Sequence, residues 1–343
     1  MSASASTSSF GSSVSHAATR TLHIPPTLRH FEGTFKNARG LSLFYFALFP
    51  LPNVALRGVV LFLHGTGDHC RRFLFLYERL CEEGFGVVTY DLVNHGASDC
   101  DSHQTRAHVR NFRCLVDDTN AFITFAKNAI YTQAQSQRQP HWTSEPKTWD
   151  PPLIITGISF GTLLGMHTVL SGQHKFHAAF WSGPLVAVSW TPTLTMQAAV
   201  IHPLSLLLPR WRIVAAVDYE LLCRDPGFMA DFETDPLAAR SDLTARSGQQ
   251  ILSAMIRLKR NKSVEEADSV FCQVPMLFIA GSEDKIADQD AMKHFFARLA
   301  NRDKELQIFD GVFHCVYEDP ERDDVLAHLT HWLRTRCPKG ENS

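Results

Sequence analysis

The chain has 343 residues, enough for one large domain or two smaller ones. With 45% hydrophobic and 20% charged residues and a formal net charge of −2, it has the make-up of an ordinary globular protein, and nothing in its charge points to a nucleic-acid partner. No stretch is apolar over the length of a membrane span, and the Ser/Ala-rich start lacks the features of a secretory signal, so a cytoplasmic or membrane-surface protein is expected.

The eight cysteines contain no Cys-x-x-Cys pair. They read as reduced thiols, several of them core residues, and not as a zinc set; neither a metal nor a cofactor is expected.

Residues 1–27 read as a flexible tail. Phe35 to Phe46 predicts a β-hairpin turning at Asn37 to Gly40. Val59 to Leu63 is a continuous apolar run, the mark of a strand buried on both faces, and it ends in His64-Gly65-Thr66-Gly67-Asp68-His69. Helical spacing follows at Phe73, Phe75, Leu76, Leu80 and Cys81 and stops at Gly84. Gly86 to Tyr90 is the next strand, Asp91 to Ser98 a turn-rich loop, and residues 104–130 read as helical. The polar, unpatterned stretch 133–151 reads as a surface insertion.

Pro152 to Ile158 then predicts a short buried strand, followed by Gly157-Ile158-Ser159-Phe160-Gly161 and a run of helical spacing. Strand, sharp turn and helix are the setting a nucleophile elbow requires, with the serine at the apex and the helix N-terminus favouring negative charge beside it. His177 to Pro184 is another strand. From 185 to 267 helical patterns dominate with no clear strand, and 195–209 is unusually apolar. Strands resume at Val274 to Ala280 and Leu306 to Phe309, each followed by a helix, the last ending near Arg336. Alternating strands and helices predict an α/β fold: a mostly parallel central sheet with helices on both faces. The expected core is 28–184 and 268–340, interrupted by a helical cap at 185–267.

Ser159, Asp284 and His314 each lie just after a predicted strand, so a parallel sheet brings them to one edge. Their chain order is that of the α/β-hydrolases. A serine hydroxyl attacks well only when a base takes its proton; a neutral imidazole does this near pH 7, and a carboxylate fixes its tautomer. Glu283 and Asp288 compete with Asp284 for the acid role, and an aspartate after a strand is often only a helix cap. The backbone N–H groups of Thr66 and Phe160 are the candidate oxyanion donors. His314 and Asp319 also fit His-x4-Asp, a weak pattern found in some acyltransferases, and Cys315 reads as packing.

With these residues in view, the chain resembles the monoacylglycerol lipase and lysophospholipase group of serine α/β-hydrolases. The resemblance runs from about Gly33 to Arg336 and rests on His64 to His69, His95-Gly96-Ala97-Ser98, the elbow, Asp235-Pro236-Leu237, Gly281 to Asp284 and Gly311 to His314. It implies Ser159 as nucleophile, Asp284 and His314 as its partners, Thr66 and Phe160 as oxyanion donors, and the 185–267 segment as a cap over an acyl tunnel. It also implies that Arg72, Ile158, Phe232 and Tyr317 face the substrate. Three of these depart from the group, which usually has His at 158, Tyr at 232 and a second His at 317. A reactive Cys that the group carries soon after the acid is Ala287 here. The acyl chemistry is untouched by these changes, whereas preference for a glycerol head group is weakened by lost hydrogen-bond donors.

The function expected is hydrolysis of a lipid ester, monoacylglycerol first, through a Ser159 acyl-enzyme. The alternatives are a lysophospholipase or broad carboxylesterase, then an acyltransferase or a non-catalytic binding protein. The apolar stretch 195–209 is either packing over the tunnel or a contact with a membrane surface. Oligomeric state is left open.

Overall fold

The computed structural model describes residues 23–136, 150–215 and 217–338. The expected tail up to residue 22 and most of the expected polar insertion, residues 137–149, lie outside them.

The chain opens with β1 (Leu28–Lys36) antiparallel to β2 (Ser42–Pro50). Their turn is tied by Asn37, whose side-chain oxygen accepts from the N–H groups of Arg39 and Leu41. The predicted hairpin is therefore present, with longer arms. Next come β3 (Gly58–Leu63), a 3-10 turn at Cys70–Phe73, α1 (Leu74–Glu82) and β4 (Phe85–Tyr90). α2 (Phe112–Phe125) runs through a π turn into α3 (Tyr131–Ser136). The helix expected from 104 starts at 112, because Gln104 and Ala107 take positive φ and Asn111 caps the first turn through the Arg113 N–H.

Then follow β5 (Leu153–Ile158), α4 (Phe160–Leu170) and β6 (Ala178–Ser182). Before the sheet resumes, the chain makes α5 (Pro192–Leu207), β7 (Arg212–Val214), α6 (Pro226–Thr234), β8 (Leu243–Thr244) and α7 (Ala245–Arg260). β7 and β8 pair as a short antiparallel ribbon. This corrects the expectation of no strand in that segment; strands of three and two residues are too short to show a periodic pattern. The chain closes with β9 (Met276–Gly281), α8 (Gln289–Arg298), β10 (Lys304–Phe309) and α9 (Arg322–Arg336).

The main sheet has the order β1-β2-β4-β3-β5-β6-β9-β10, and every pair from β4 to β10 is parallel. Every residue of β3, β4, β5, β6 and β9 is buried, as continuous apolar runs require when helices cover both faces. Alternate side chains go to opposite layers. Val59, Leu61, Ile155 and Trp181 pack with Phe122 of α2, Leu163 of α4 and Phe295 of α8. Val60, Phe62, Ile154 and Phe180 pack with Leu80 of α1 and Trp332 of α9.

At the crossing of β5 and α4 the backbones come very close. A Cβ on Gly161 would stand 2.1 Å from the Leu63 carbonyl oxygen, and one on Gly157 would stand 2.4 Å from the Gly161 carbonyl carbon. Neither neighbour is a side chain able to swing away. Gly161→Ala is therefore expected to cost about 1–3 kcal/mol or more of stability by forcing α4 off β3; a chemical-denaturation midpoint equal to that of the unaltered chain would contradict this packing.

Candidate active site

Ser159 stands between the end of β5 and the start of α4 with φ 53° and ψ −121°. Positive φ is strained for a residue with a side chain and persists only where surrounding packing enforces it. The Ser159 N–H donates to the Ser182 carbonyl at 3.1 Å, and the Ser159 carbonyl accepts from Thr162 N–H at 2.9 Å. The tight turn leaves the serine side chain partly exposed at the floor of a cavity.

Asp284 follows β9. One of its carboxylate oxygens accepts from the N–H groups of Ile286 at 2.9 Å and Ala287 at 3.0 Å. The other lies 2.7 Å from His314 Nδ1. Burial opposes ionisation of this carboxyl, but the His314 charge and these hydrogen bonds hold it below its ordinary range. Its two competitors are occupied otherwise: Asp288 caps α8 through Ala291 N–H, and Glu283 pairs with Lys285 at the surface.

His314 is 1% exposed and turns Nε2 inward without a hydrogen-bond partner. Ser159 and His314 line the same cavity, together with Thr66, Ile158, Phe160 and Phe232. Phe160 is the first residue of α4, so its N–H has no acceptor within the helix. The loop carrying Thr66 is held from beneath by His64. Its Nδ1–H donates to the Gly65 carbonyl at 2.7 Å, and its Nε2 accepts from Leu92 N–H at 3.0 Å. Full burial pushes the His64 pKa down, which keeps the ring in the neutral form this pairing needs.

Two expected substrate contacts are placed elsewhere. Arg72 does not line the cavity: its guanidinium is 3% exposed, bonded to Asp68 and Asp235 and reaching Asp231, and it lies 4.7 Å over the Phe232 ring. Charge satisfied inside the protein has no need of a substrate. Tyr317 is fully buried behind the cavity, and its hydroxyl oxygen accepts from the Ser182 hydroxyl. Asp319 of the His-x4-Asp pattern accepts from the N–H groups of Phe313 and Arg224 and pairs with the Arg224 guanidinium, so its oxygens are held within the protein. Cys315 lines the cavity, and burial pushes its thiol pKa up, away from the thiolate.

Sequence reading missed Tyr219, Ser241 and Asp242, which bring polar groups to the cavity, with the Tyr219 ring 5.7 Å from that of Phe232. They flank α6, Tyr219 in a single 3-10 turn (Tyr219–Leu221) and Ser241 and Asp242 in irregular chain, where no spacing signals a site. A second, apolar cavity between α5 and α7 shares Val188, Leu243 and Ile251 with the first.

A doubly wound sheet, a strained serine at a strand-helix elbow and an aspartate–histidine pair beside it define the class of the serine α/β-hydrolases. Residues 55–321 match the family Hydrolase_4, described as serine aminopeptidase, S33. This is most of the chain, and the chain belongs to that family. It is similar to the monoacylglycerol lipase of Mycolicibacterium smegmatis, 25% identical over 88% of this chain and 96% of that protein. It is similar also to the phospholipase YtpA of Bacillus subtilis, 21% identical over 78% of this chain and 92% of the relative. The solved structure of a soluble variant of Saccharomyces cerevisiae monoglyceride lipase shares the fold, with a TM-score of 0.74 at 20% identity over 94% of this chain and 99% of that one.

One buried acid stands apart from this machinery. Glu318 is 6% exposed, and neither carboxylate oxygen has a partner. Burial, then the nearby Asp68 charge, raises its pKa from 4.5 to about 8, against the opposing pull of Arg72 and Arg322. The folded chain thus holds a proton that the unfolded chain has released between pH 4.5 and 8, and stability falls as pH rises through that window. Glu318→Gln is expected to raise Tm, and by more at pH 8 than at pH 5. Equal shifts at the two pH values in a thermal-unfolding assay would contradict the raised pKa.

Proposed function

We propose that this chain hydrolyses lipid carboxylic esters through an acyl-enzyme on Ser159. One observation carries the reading: His314 has Nδ1 bonded to Asp284 and an unpartnered, buried Nε2 in the cavity that Ser159 also lines. With Nδ1–H donated to the carboxylate, Nε2 is the basic nitrogen. In the first half-reaction Nε2 takes the Ser159 proton as Oγ attacks the ester carbonyl carbon. The Thr66 and Phe160 N–H groups hold the resulting oxyanion, and the alcohol leaves with the proton from Nε2. Water then attacks the acyl-enzyme along the same path and releases the acid. The contact between Ser159 Oγ and Nε2 closes as substrate binds, as such contacts commonly tighten from the free enzyme.

The apolar cavity between α5 and α7 suits the acyl chain, and the 185–267 segment then acts as the cap over it. Among the described lining residues of the catalytic cavity there is no Lys or Arg, while Tyr219, Ser241 and Asp242 offer neutral or acidic polar groups. A phosphate-bearing head would meet no lysine or arginine among them. This favours a neutral monoester such as monoacylglycerol over a lysophospholipid. A broad carboxylesterase is the second reading, favoured by Ile158 and Phe232, which line the cavity without a hydrogen-bonding group.

The cap also carries a candidate membrane contact. Trp190, Met196, Val200, Leu206, Leu207, Leu208 and Trp211 are all exposed, with Leu207 at 77%. A cluster of that size beside the acyl cavity fits docking on a lipid surface, from which an ester enters directly. No described helix is long and apolar enough to cross a membrane.

Ser159→Ala is expected to lower ester turnover by at least about a thousandfold with unchanged Tm, and full turnover in that variant would refute the nucleophile. A competitive panel of monoacylglycerol, lysophosphatidylcholine and short esters tests the substrate: kcat/KM should be highest for monoacylglycerol, and a preference for the phospholipid would overturn the head-group reading. Replacing Leu206 and Leu207 with Ser should weaken sedimentation with neutral phosphatidylcholine vesicles by roughly tenfold or more; undiminished binding would remove α5 as the docking element.

A further inference from the structure

Tyr317 lies three residues after His314, is fully buried, and does not line the catalytic cavity. Its hydroxyl is bonded to the hydroxyl of Ser182, the last residue of β6. Ser182 also presents its carbonyl to the Ser159 N–H at 3.1 Å, at the strained apex of the elbow. The next residue, Gly183, lies directly against the histidine: a Cβ there would stand 3.1 Å from His314 Cε1 and 3.2 Å from Nδ1. Ser182 and Gly183 therefore touch both Ser159 and His314, and the Tyr317 hydroxyl anchors this segment to the loop that bears the histidine.

We infer that Tyr317 and Ser182 form a buried brace that sets the Ser159 nucleophile against the His314 imidazole, Tyr317 acting as a positioning residue and not as a contact to substrate. The inference rests on the catalytic reading given above. Its physical basis is that β6 and the His314 loop come from distant parts of the sequence: the loop's backbone is tied to the chain after β9 through Glu283 N–H and the Val312 carbonyl, and to Asp319 through Phe313 N–H, while the Tyr317 hydroxyl ties it to β6. This buried hydroxyl pair holds the loop to β6, because either hydroxyl left without the other would be buried and unsatisfied. Alignment matters here because transfer of the serine proton requires Oγ and Nε2 to meet within hydrogen-bond reach.

The test uses the full chain with Tyr317→Phe, Ser182→Ala and the two combined. Each is read by Tm, by kcat and KM on a p-nitrophenyl ester, and by the rate at which a fluorophosphonate labels Ser159. Each single change strands one buried hydroxyl and should lower Tm; removing both hydroxyls should return most of that loss. The brace predicts that kcat and the labelling rate fall roughly three- to tenfold with KM little changed, and that they stay low in the double variant although its Tm recovers. Recovery of kcat together with Tm, or a wild-type labelling rate in Tyr317→Phe, would overturn the brace while leaving Ser159 as nucleophile. Failure of the unaltered chain to be labelled at Ser159 would instead bring down the catalytic reading and the brace with it.

Discussion

The structure turns on the close approach of backbones at the elbow. Gly157 and Gly161 let β5, α4 and the end of β3 meet at distances no side chain allows, and that contact forces Ser159 into positive φ. The serine reaches the cavity, partly exposed, because its main chain is strained, and the strain holds because fully buried strands lie on both sides. The consequences run outward. α4 must point its N-terminus at the apex, β6 must supply the carbonyl for the Ser159 N–H, and β3 must end in the loop that carries Thr66.

The excursion between β6 and β9 is fastened to the loops around the cavity by polar ties. Ala239 N–H donates to the Gly67 carbonyl at 2.7 Å. Asp235 receives His69 and Arg72, each at 2.8 Å. Arg224 reaches Asp319, which in turn holds the Phe313 N–H beside His314. Of these ties the Arg72–Asp235 pair is buried, and breaking it from one side is costly, at about 3–5 kcal/mol, because the abandoned charge stays desolvated. Together the ties hold the segment in one position over the loops bearing Thr66 and His314, which loose apolar contact would not do. Arg72 belongs to this fastening, which is why a residue expected at the substrate is turned away from it.

α5 shows the opposite behaviour. Of its 16 residues only Ile201 and Ser205 are buried, although the helix is apolar on nearly every face. Apolar surround normally marks a helix enclosed by protein or by lipid. Here the protein covers one side, where Leu194, Ala198 and Ile201 line the apolar cavity shared with α7. The outer side faces solvent in the isolated chain. Sequence left packing and membrane contact equally open for this stretch, and burial separates the two faces of the same helix.

The order of strands and helices, the parallel sheet and the elbow were legible in the sequence, because they rest on local causes. Continuous apolar runs demand two covered faces, and glycines around a serine demand a sharp turn. The choice of Asp284 over Glu283 and Asp288 was legible only in part, since all three sit on one short stretch and their side-chain directions are set by how β9 leaves the sheet. The β7–β8 ribbon, the polar trio Tyr219, Ser241 and Asp242, and the retreat of Arg72 and Tyr317 into the interior could not be read there. Each depends on contacts between segments far apart in the chain, and which buried donor meets which acceptor across such distances is decided by packing, not by neighbouring residues.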